Sequence, residues 1–206
     1  MGGHRPLGRA PAGALSAVGH NAGMAESLKG RLLIASPRIA DPNFARTVVY
    51  MTEHGEEGAM GLILNRAAET TVGEAVPELA WLAEADEVVH VGGPVGAQAV
   101  VVLAEWDAPE AAALLVEEDL GFVPAEIEDR DFVEAALRRA RVFAGHAGWG
   151  PGQLEVEMEE ESWIVEPARR EDIFTVEPGE LWATVLRRKG REYALLSTMP
   201  ADPSLN

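Results

Sequence analysis

The chain has 206 residues and a formal net charge of −17, with 34 acidic against 17 basic side chains. This length predicts one domain that can bury a core without disulfides or metals. Cysteine is absent, which excludes disulfides, thiolate zinc sites and a cysteine nucleophile, and the apolar runs fall far short of the roughly 18 residues that a membrane span needs.

Residues 1–26 are predicted to be a flexible tail. They are rich in Gly, Ala, Pro and Arg and show neither helical nor strand periodicity. Met24 offers an alternative natural start. The folded domain is predicted to span residues 27–206. Because the residues before Leu28 contribute one acidic and two basic side chains, the rest of the chain carries −18 by itself.

The first predicted elements are strands. Residues 31–35 form a short strand, and a loop with the turn residues Asp41, Pro42 and Asn43 follows it. Residues 47–52 and 59–64 predict a hairpin, because a glycine-containing turn joins two β-rich runs. Apolar residues occupy both the odd and the even positions of these strands, so we expect a central hairpin that is covered on both faces.

The middle of the chain mixes helices and strands. A helix over residues 71–82 is predicted, with Thr70 or Thr71 as its cap and Glu74 three residues after Thr71, the spacing of a capping box. The patterns that follow predict strands at 88–91 and 98–104 and helices at 109–118 and 129–140.

The last third begins with a strand at 141–144 that enters a glycine-rich segment. Gly150 is predicted to cap the next helix, with Pro151 at its first position and Gln153 as the polar partner of the cap. The patterns then predict a strand at 162–165 and a final helix at 178–189. Because strands and helices follow no regular alternation, the fold class is α+β.

The glycine-rich segment 145–152 has two interpretations. Free backbone amides ahead of a helix can hold an anion, but a phosphate loop needs a lysine where this chain has Gln153 and Leu154. The helix is also strongly acidic, which disfavours an anion. We therefore expect the glycines to let the strand and the helix approach each other around Trp149.

No catalytic, cofactor or metal site is predicted. His54, His90 and His146 lack the spacing of a zinc site, so we interpret them as turn and core residues. No serine stands in a nucleophile elbow. The numerous carboxylate pairs do not indicate a catalytic site, because any chain with so many acidic residues contains such pairs.

Direct binding to nucleic acid is disfavoured. The negative body repels phosphates, and no helix-turn-helix with a basic recognition helix is visible. The basic clusters at 138–141 and 187–191 are both predicted at helix ends, where the helix dipole favours cations.

Several polar residues stand among apolar neighbours around the predicted hairpin. Asp41, Asn43 and Arg46 precede it, and Asn65 and Arg66 follow it. An arginine beside a buried strand can grip a carboxylate, but we expect these residues mainly to tie loops together.

Motifs along the chain resemble those of the YqgE/AlgH family, also called UPF0301 or DUF179. The resemblance runs from about Leu28 to Pro203, with the motifs in the family's order. The first half carries it at Gly30–Pro37, Asp41–Phe44, Arg46–Tyr50, Glu53-His54 and Glu57–Arg66. The second half carries it at Gly92–Val95, Ala147–Glu155, Trp163, Trp182 and Leu195–Ser197.

The resemblance implies a bacterial, cytoplasmic protein with a compact α+β domain, whose mixed, strongly coiled β-sheet is flanked by helices. Some members are labelled transcriptional regulators linked to alginate production, and the family offers no established catalytic residues. Many members have a cysteine where this chain has Thr52, which puts any thiol-based role in doubt here. The candidate functional surface comprises Asp41, Asn43, Arg46, His54, Asn65, Arg66, Gly92, Gly93, Pro94, Gly148, Trp149 and Gly150.

Three functions remain open. The favoured one is a non-enzymatic regulator that contacts another protein. The alternative is a small-ligand binder or enzyme with a pocket near the glycine turn at 92–94 and the residues Asp41, Asn43, Arg46, Asn65 and Arg66. Direct DNA binding ranks last. The partner and the oligomeric state are not specified by the sequence.

Overall fold

A strongly curled sheet dominates the computed structural model, which describes residues 26–199. Within that range, the strands are β1 (Arg31–Ala35), β2 (Val48–Gly55), β3 (Gly58–Ile63), β4 (Ala67–Thr71), β5 (Val88–Val91), β6 (Val95–Trp106), β7 (Leu114–Leu115), β8 (Leu120–Phe122), β9 (Leu137–Trp149) and β10 (Trp163–Pro167). The α-helices are α1 (Val72–Ala75), α2 (Arg130–Ala136), α3 (Gln153–Glu159), α4 (Arg170–Ile173), α5 (Leu181–Lys189) and α6 (Arg191–Leu196), with 3₁₀ turns at Pro77–Leu82, Pro109–Ala111 and Pro178–Glu180. Apart from Glu26, the predicted tail lies outside the described residues.

The strand order is β10-β1-β2-β3-β9-β6-β8-β7, and β4 and β5 form a branch that joins through β9. The pair β5–β9 is parallel and the other pairs are antiparallel. The predicted α+β class and mixed, coiled sheet are therefore confirmed. No helix among residues 26–199 is long and apolar enough to cross a membrane.

The central hairpin is confirmed. Strands β2 and β3 lie between β1 and β9, and apolar side chains cover both faces. Val48 and Tyr50 pack on one face against α5, whereas Val49 and Met51 pack on the other face against α3. Each fully buried side chain of this kind contributes about 1.5–3 kcal/mol of transfer free energy, so this double layer anchors the fold.

One predicted helix is wrong, and another is predicted too long. Residues 109–118 form only a 3₁₀ turn and then strand β7, while the helix predicted over 129–140 ends at Ala136. Strand β9 begins at Leu137 because long-range pairing with β6 overrides local helix propensity. Arg138, Arg139 and Arg141 therefore lie in a strand and not at a helix end. The basic residues 187–189 do occupy the last turn of α5, as predicted.

The glycine-rich segment also differs in part from expectation. Its first half continues β9 as far as Trp149, and α3 begins at Gln153 with Gly152 at φ 73°. The predicted polar contact exists, since the Gly150 N–H donates to Gln153 Oε1 at 3.1 Å. The helix at 178–189 is not the last, because α6 follows it.

Candidate functional site

The structure divides the candidate residues between the two ends of the β2–β3 hairpin. At the open end, the loop cluster contains Asp41, Asn43, Arg46, Asn65 and Arg66. The Asn65 side chain accepts from the Val48 N–H and donates to the Arg46 carbonyl, both at 2.8 Å. Such a bridge fixes the loop where it enters β2.

Both arginines of the loop cluster are engaged by the chain itself. Arg66 donates to the Pro42 carbonyl at 2.6 Å, and Asp41 accepts from the Asn43 N–H at 2.8 Å. The Arg46 guanidinium lies over the Trp182 ring, 4.7 Å from its centroid, and donates to the Met199 carbonyl. These contacts support the predicted role of tying loops together.

His54 lies at the other end of the hairpin, where it joins three segments. Its Nδ1 accepts from the Leu28 N–H at 3.0 Å, so its ring proton resides on Nε2, which contacts Glu155 Oε1 at 3.0 Å. The imidazole is thereby fixed in one tautomer between the start of the domain and α3. This arrangement explains both the turn histidine and the glutamate that ends the glycine-rich motif.

Trp149 belongs to a buried tryptophan cluster whose polar groups meet on Glu157. The indole N–H groups of Trp149 and Trp163 both donate to Glu157 Oε2, at 2.9 and 2.8 Å. Gln153 Nε2 donates to Glu157 Oε1 at 2.9 Å, and Phe44 packs against both indole rings. The cluster holds α3 against the sheet. Glu157 was not singled out by the sequence, where it is one of many acidic residues.

The glycines serve close backbone approach at selected positions. A Cβ on Gly145, which has φ 68°, would lie 2.7 Å from the Gly93 carbonyl oxygen, and one on Gly92 would lie 2.2 Å from that of Gly145. The close approach therefore joins β9 to the 92–94 turn. The expected approach between β9 and α3 is wrong, since Gly148 and Gly150 have no neighbour closer than 3.5 Å to an added Cβ.

His90 is a core residue. It is buried against Phe143, and neither ring nitrogen has a hydrogen-bond partner among the described residues. Burial lowers the pKa of His90 to about 4, with a further contribution from the Arg141 guanidinium that the Val88 backbone partly opposes. The side chain is therefore neutral at pH 7.

The basic clusters are matched by acidic partners. In β9, Arg139 contacts Glu105 at 2.7 Å, and Arg141 lies 3.5 Å from Glu87. Near the end of α5, Arg188 contacts Asp172 at 2.8 Å. No group of three or more metal-ligating side chains within residues 26–199 is placed to hold a metal ion.

An open groove lies beside β10, and the sequence did not point to it. This β10 groove has a volume of about 710 Å³. Its floor is the outer edge of β10, and its walls come from the end of α3 and from α6. The lining side chains include Met158, Glu161, Lys189, Tyr193, Leu196 and Met199. The loop cluster contributes indirectly, because Arg46 holds the Met199 backbone.

Comparisons with known proteins agree with the motifs. The family model described as DUF179, AlgH-like, matches residues 32–194. A UPF0301 protein of Streptomyces coelicolor is 43% identical over 192 residues, covering 89% of this chain and 99% of that protein. A UPF0301 protein of Mycobacterium tuberculosis is 36% identical over 181 residues, covering 86% of this chain and 90% of that protein.

Two solved structures are similar. The crystal structure of a Corynebacterium diphtheriae protein has a TM-score of 0.74 at 30% identity, covering 82% of this chain and 91% of that one. The solution structure of the AlgH protein of Pseudomonas aeruginosa has a TM-score of 0.62 at 31% identity, covering 85% and 95%.

Proposed function

Because the chain belongs to the AlgH-like family, also called UPF0301, we propose that it is a non-enzymatic cytoplasmic regulator that acts by binding another protein. The proposal is supported by the difference between the side chains of the family motifs and the β10 groove. The polar side chains of the family motifs bond to the chain itself, whereas the β10 groove is open. The motifs thus maintain the fold, and the open surface is left for recognition.

The loop cluster offers little support for the ligand-binding alternative. A ligand there would have to displace the carbonyl oxygens that Asn65 and Arg66 bind, and each lost bond to a charged or buried group costs about 1–3 kcal/mol. A thermal-shift screen with nucleotides, metals and metabolites addresses this alternative. Stabilisation that disappears in Arg66→Ala would favour it over the proposal.

Direct DNA binding requires unmatched cations that neutralise phosphates. Here the arginines of β9 and α5 contact carboxylates, and the whole chain carries −17. In a gel-shift titration at near-physiological salt, we expect no shift of genomic fragments at micromolar protein.

Affinity capture from the native cell tests the proposal. The full chain serves as bait, and an unrelated protein of similar negative charge serves as the matched control. We expect a partner that binds the chain, not the control, and binds again when both proteins are purified. Absence of such a partner, or catalytic turnover by the purified chain, would contradict the proposal.

A further inference from the structure

Taking the proposed protein-binding function as its premise, we infer that the β10 groove binds an extended, basic segment of the partner as an added strand. The first support is the direction of the backbone groups. Ser36 N–H donates to the Ser162 carbonyl at 2.9 Å, and the β1–β10 register is antiparallel. Since bonding alternates along such a pair, Ile164 bonds to β1 whereas Trp163 and Val165 direct their backbone groups outward.

The outward groups define the geometry of the added strand. The Val165 carbonyl accepts from Lys189 Nζ at 2.7 Å and is therefore occupied. The Trp163 carbonyl and the Val165 N–H have no hydrogen-bond partner among the described residues. A parallel strand uses both groups through one residue, donating to the Trp163 carbonyl and accepting from the Val165 N–H. An antiparallel strand uses the same two groups through two residues of its own.

The groove walls suit alternate side chains of such a strand. Met158, Ile164 and Leu196 provide apolar contacts, and Tyr193 adds an aromatic ring. Strand addition obtains affinity from main-chain hydrogen bonds and specificity from such side-chain pockets. We therefore expect an apolar residue of the partner to enter the groove.

Charge identifies the partner's chemistry. The charged side chains that line the groove are paired, Arg38 with Glu161 at 3.0 Å and Lys189 with Glu166 at 3.1 Å. Beside the groove, Glu159 and Glu160 are exposed at the end of α3 and have no basic partner within residues 26–199. Lysine or arginine flanking the apolar residue would complement these two carboxylates and the net charge of −17.

The opposite edge of the sheet is protected. Strand β7 has two residues, and Lys29 Nζ donates to the Leu115 carbonyl there at 3.2 Å. Short length and a lysine are common means of closing a sheet edge. At β10, Pro167 and Lys189 close only one end and leave Ile164 and Val165 half-buried beside the groove.

Random 12-residue peptides displayed on phage and selected on the purified full chain supply the probe. We expect enriched peptides that combine apolar residues with Lys or Arg. On saturation with a synthetic enriched peptide, the Val165 amide should exchange at least about tenfold more slowly, whereas the Ile164 amide, already bonded to β1, should not change. Failure to enrich peptides, or protection confined to other surfaces, would overturn the inference.

A proline substitution tests the backbone contact. Val165→Pro removes the outward N–H without removing a bond to β1, and should weaken peptide binding about tenfold, the size expected for one lost hydrogen bond. Val165→Ala is the matched control, since it shortens the side chain but keeps the N–H. Equal binding by both variants would contradict the inference, and the exchange measurement on the unmodified chain covers the case in which Val165→Pro does not fold.

The contribution of the acidic side chains to peptide binding can be measured separately. Replacing Glu159, Glu160 and Glu161 together by Gln should weaken peptide binding at low salt and have little effect at high salt. The captured partner separates the two proposals. If it binds Val165→Pro as well as it binds Val165→Ala, the groove assignment fails while the protein-binding function stands. If no partner is captured, the function fails.

Discussion

Glu157 provides a sharp test of how the glycine-rich motif stabilises the fold. Its carboxylate accepts three hydrogen bonds, two on Oε2 from indoles and one on Oε1 from Gln153. In Glu157→Gln only one oxygen remains, so at least one donor faces an NH₂ group. Gln153 cannot reverse its own amide without losing the bond from the Gly150 N–H.

The expected cost follows from the number of unsatisfied donors. Because Gln153 is exposed, the amide oxygen of Glu157→Gln is expected to remain on the two buried indoles, and the loss of unfolding free energy is about 1 kcal/mol because these bonds are no longer charge-assisted. Glu157→Leu leaves both indole N–H groups unsatisfied and should cost about 2–6 kcal/mol. The tryptophans are 5% and 4% exposed, so water compensates little.

Urea unfolding followed by circular dichroism measures these losses. Glu159→Gln is the matched control, because it removes the same charge from an exposed position of the same helix. It should change stability by no more than about 0.5 kcal/mol. If Glu157→Leu were as stable as Glu159→Gln, the network would not hold α3 and the reasoning would be refuted.

Three further predictions concern stability. Folding lowers the pKa of His90 from 6.5 to about 4, so the unfolded chain binds a proton at this histidine first as the pH falls. His90 should therefore reduce the unfolding free energy by about 3 kcal/mol between pH 6.5 and pH 4. Urea titrations should show a smaller reduction over this pH range in His90→Leu. Gly145→Ala should lower the unfolding free energy by at least about 2 kcal/mol through backbone strain and close backbone contact. In the control Gly150→Ala no atom lies closer than 3.9 Å to the new Cβ, so its thermal melting temperature should be nearly unchanged. Asn65→Ala should cost about 2 kcal/mol by freeing two backbone groups, and an unchanged urea midpoint would argue against a fixed loop cluster.

The sequence predicted the central hairpin because its signal is local. Two strands with apolar residues at both odd and even positions, joined by a glycine-containing turn, predict a hairpin covered on both faces. Val48 and Val49 show this, because they pack on opposite faces of the sheet. The capping box of Thr71 and Glu74 is equally local and is confirmed, although the α-helix ends at Ala75 and continues only as a 3₁₀ turn.

Long-range pairing explains what the sequence could not predict. Residues 137–141 have the composition of a helix, but β6 places Glu105 opposite Arg139 and stabilises a strand. Similarly, nothing local shows that β10 pairs with β1 alone among the strands of residues 26–199 and has an open edge there. The candidate residues were also split, since the loop cluster and His54 lie at opposite ends of the hairpin. The acceptor role of Glu157 depends on two tryptophans brought together by folding.

The most direct test is hydrogen exchange of the chain in complex with the partner captured from its native cell. Slowed exchange of the Val165 amide, with the Ile164 amide unchanged, is the expected result. Exchange at Val165 as fast in the complex as in the free chain would contradict recognition through the β10 groove, and failure to obtain any partner would contradict a function based on protein binding.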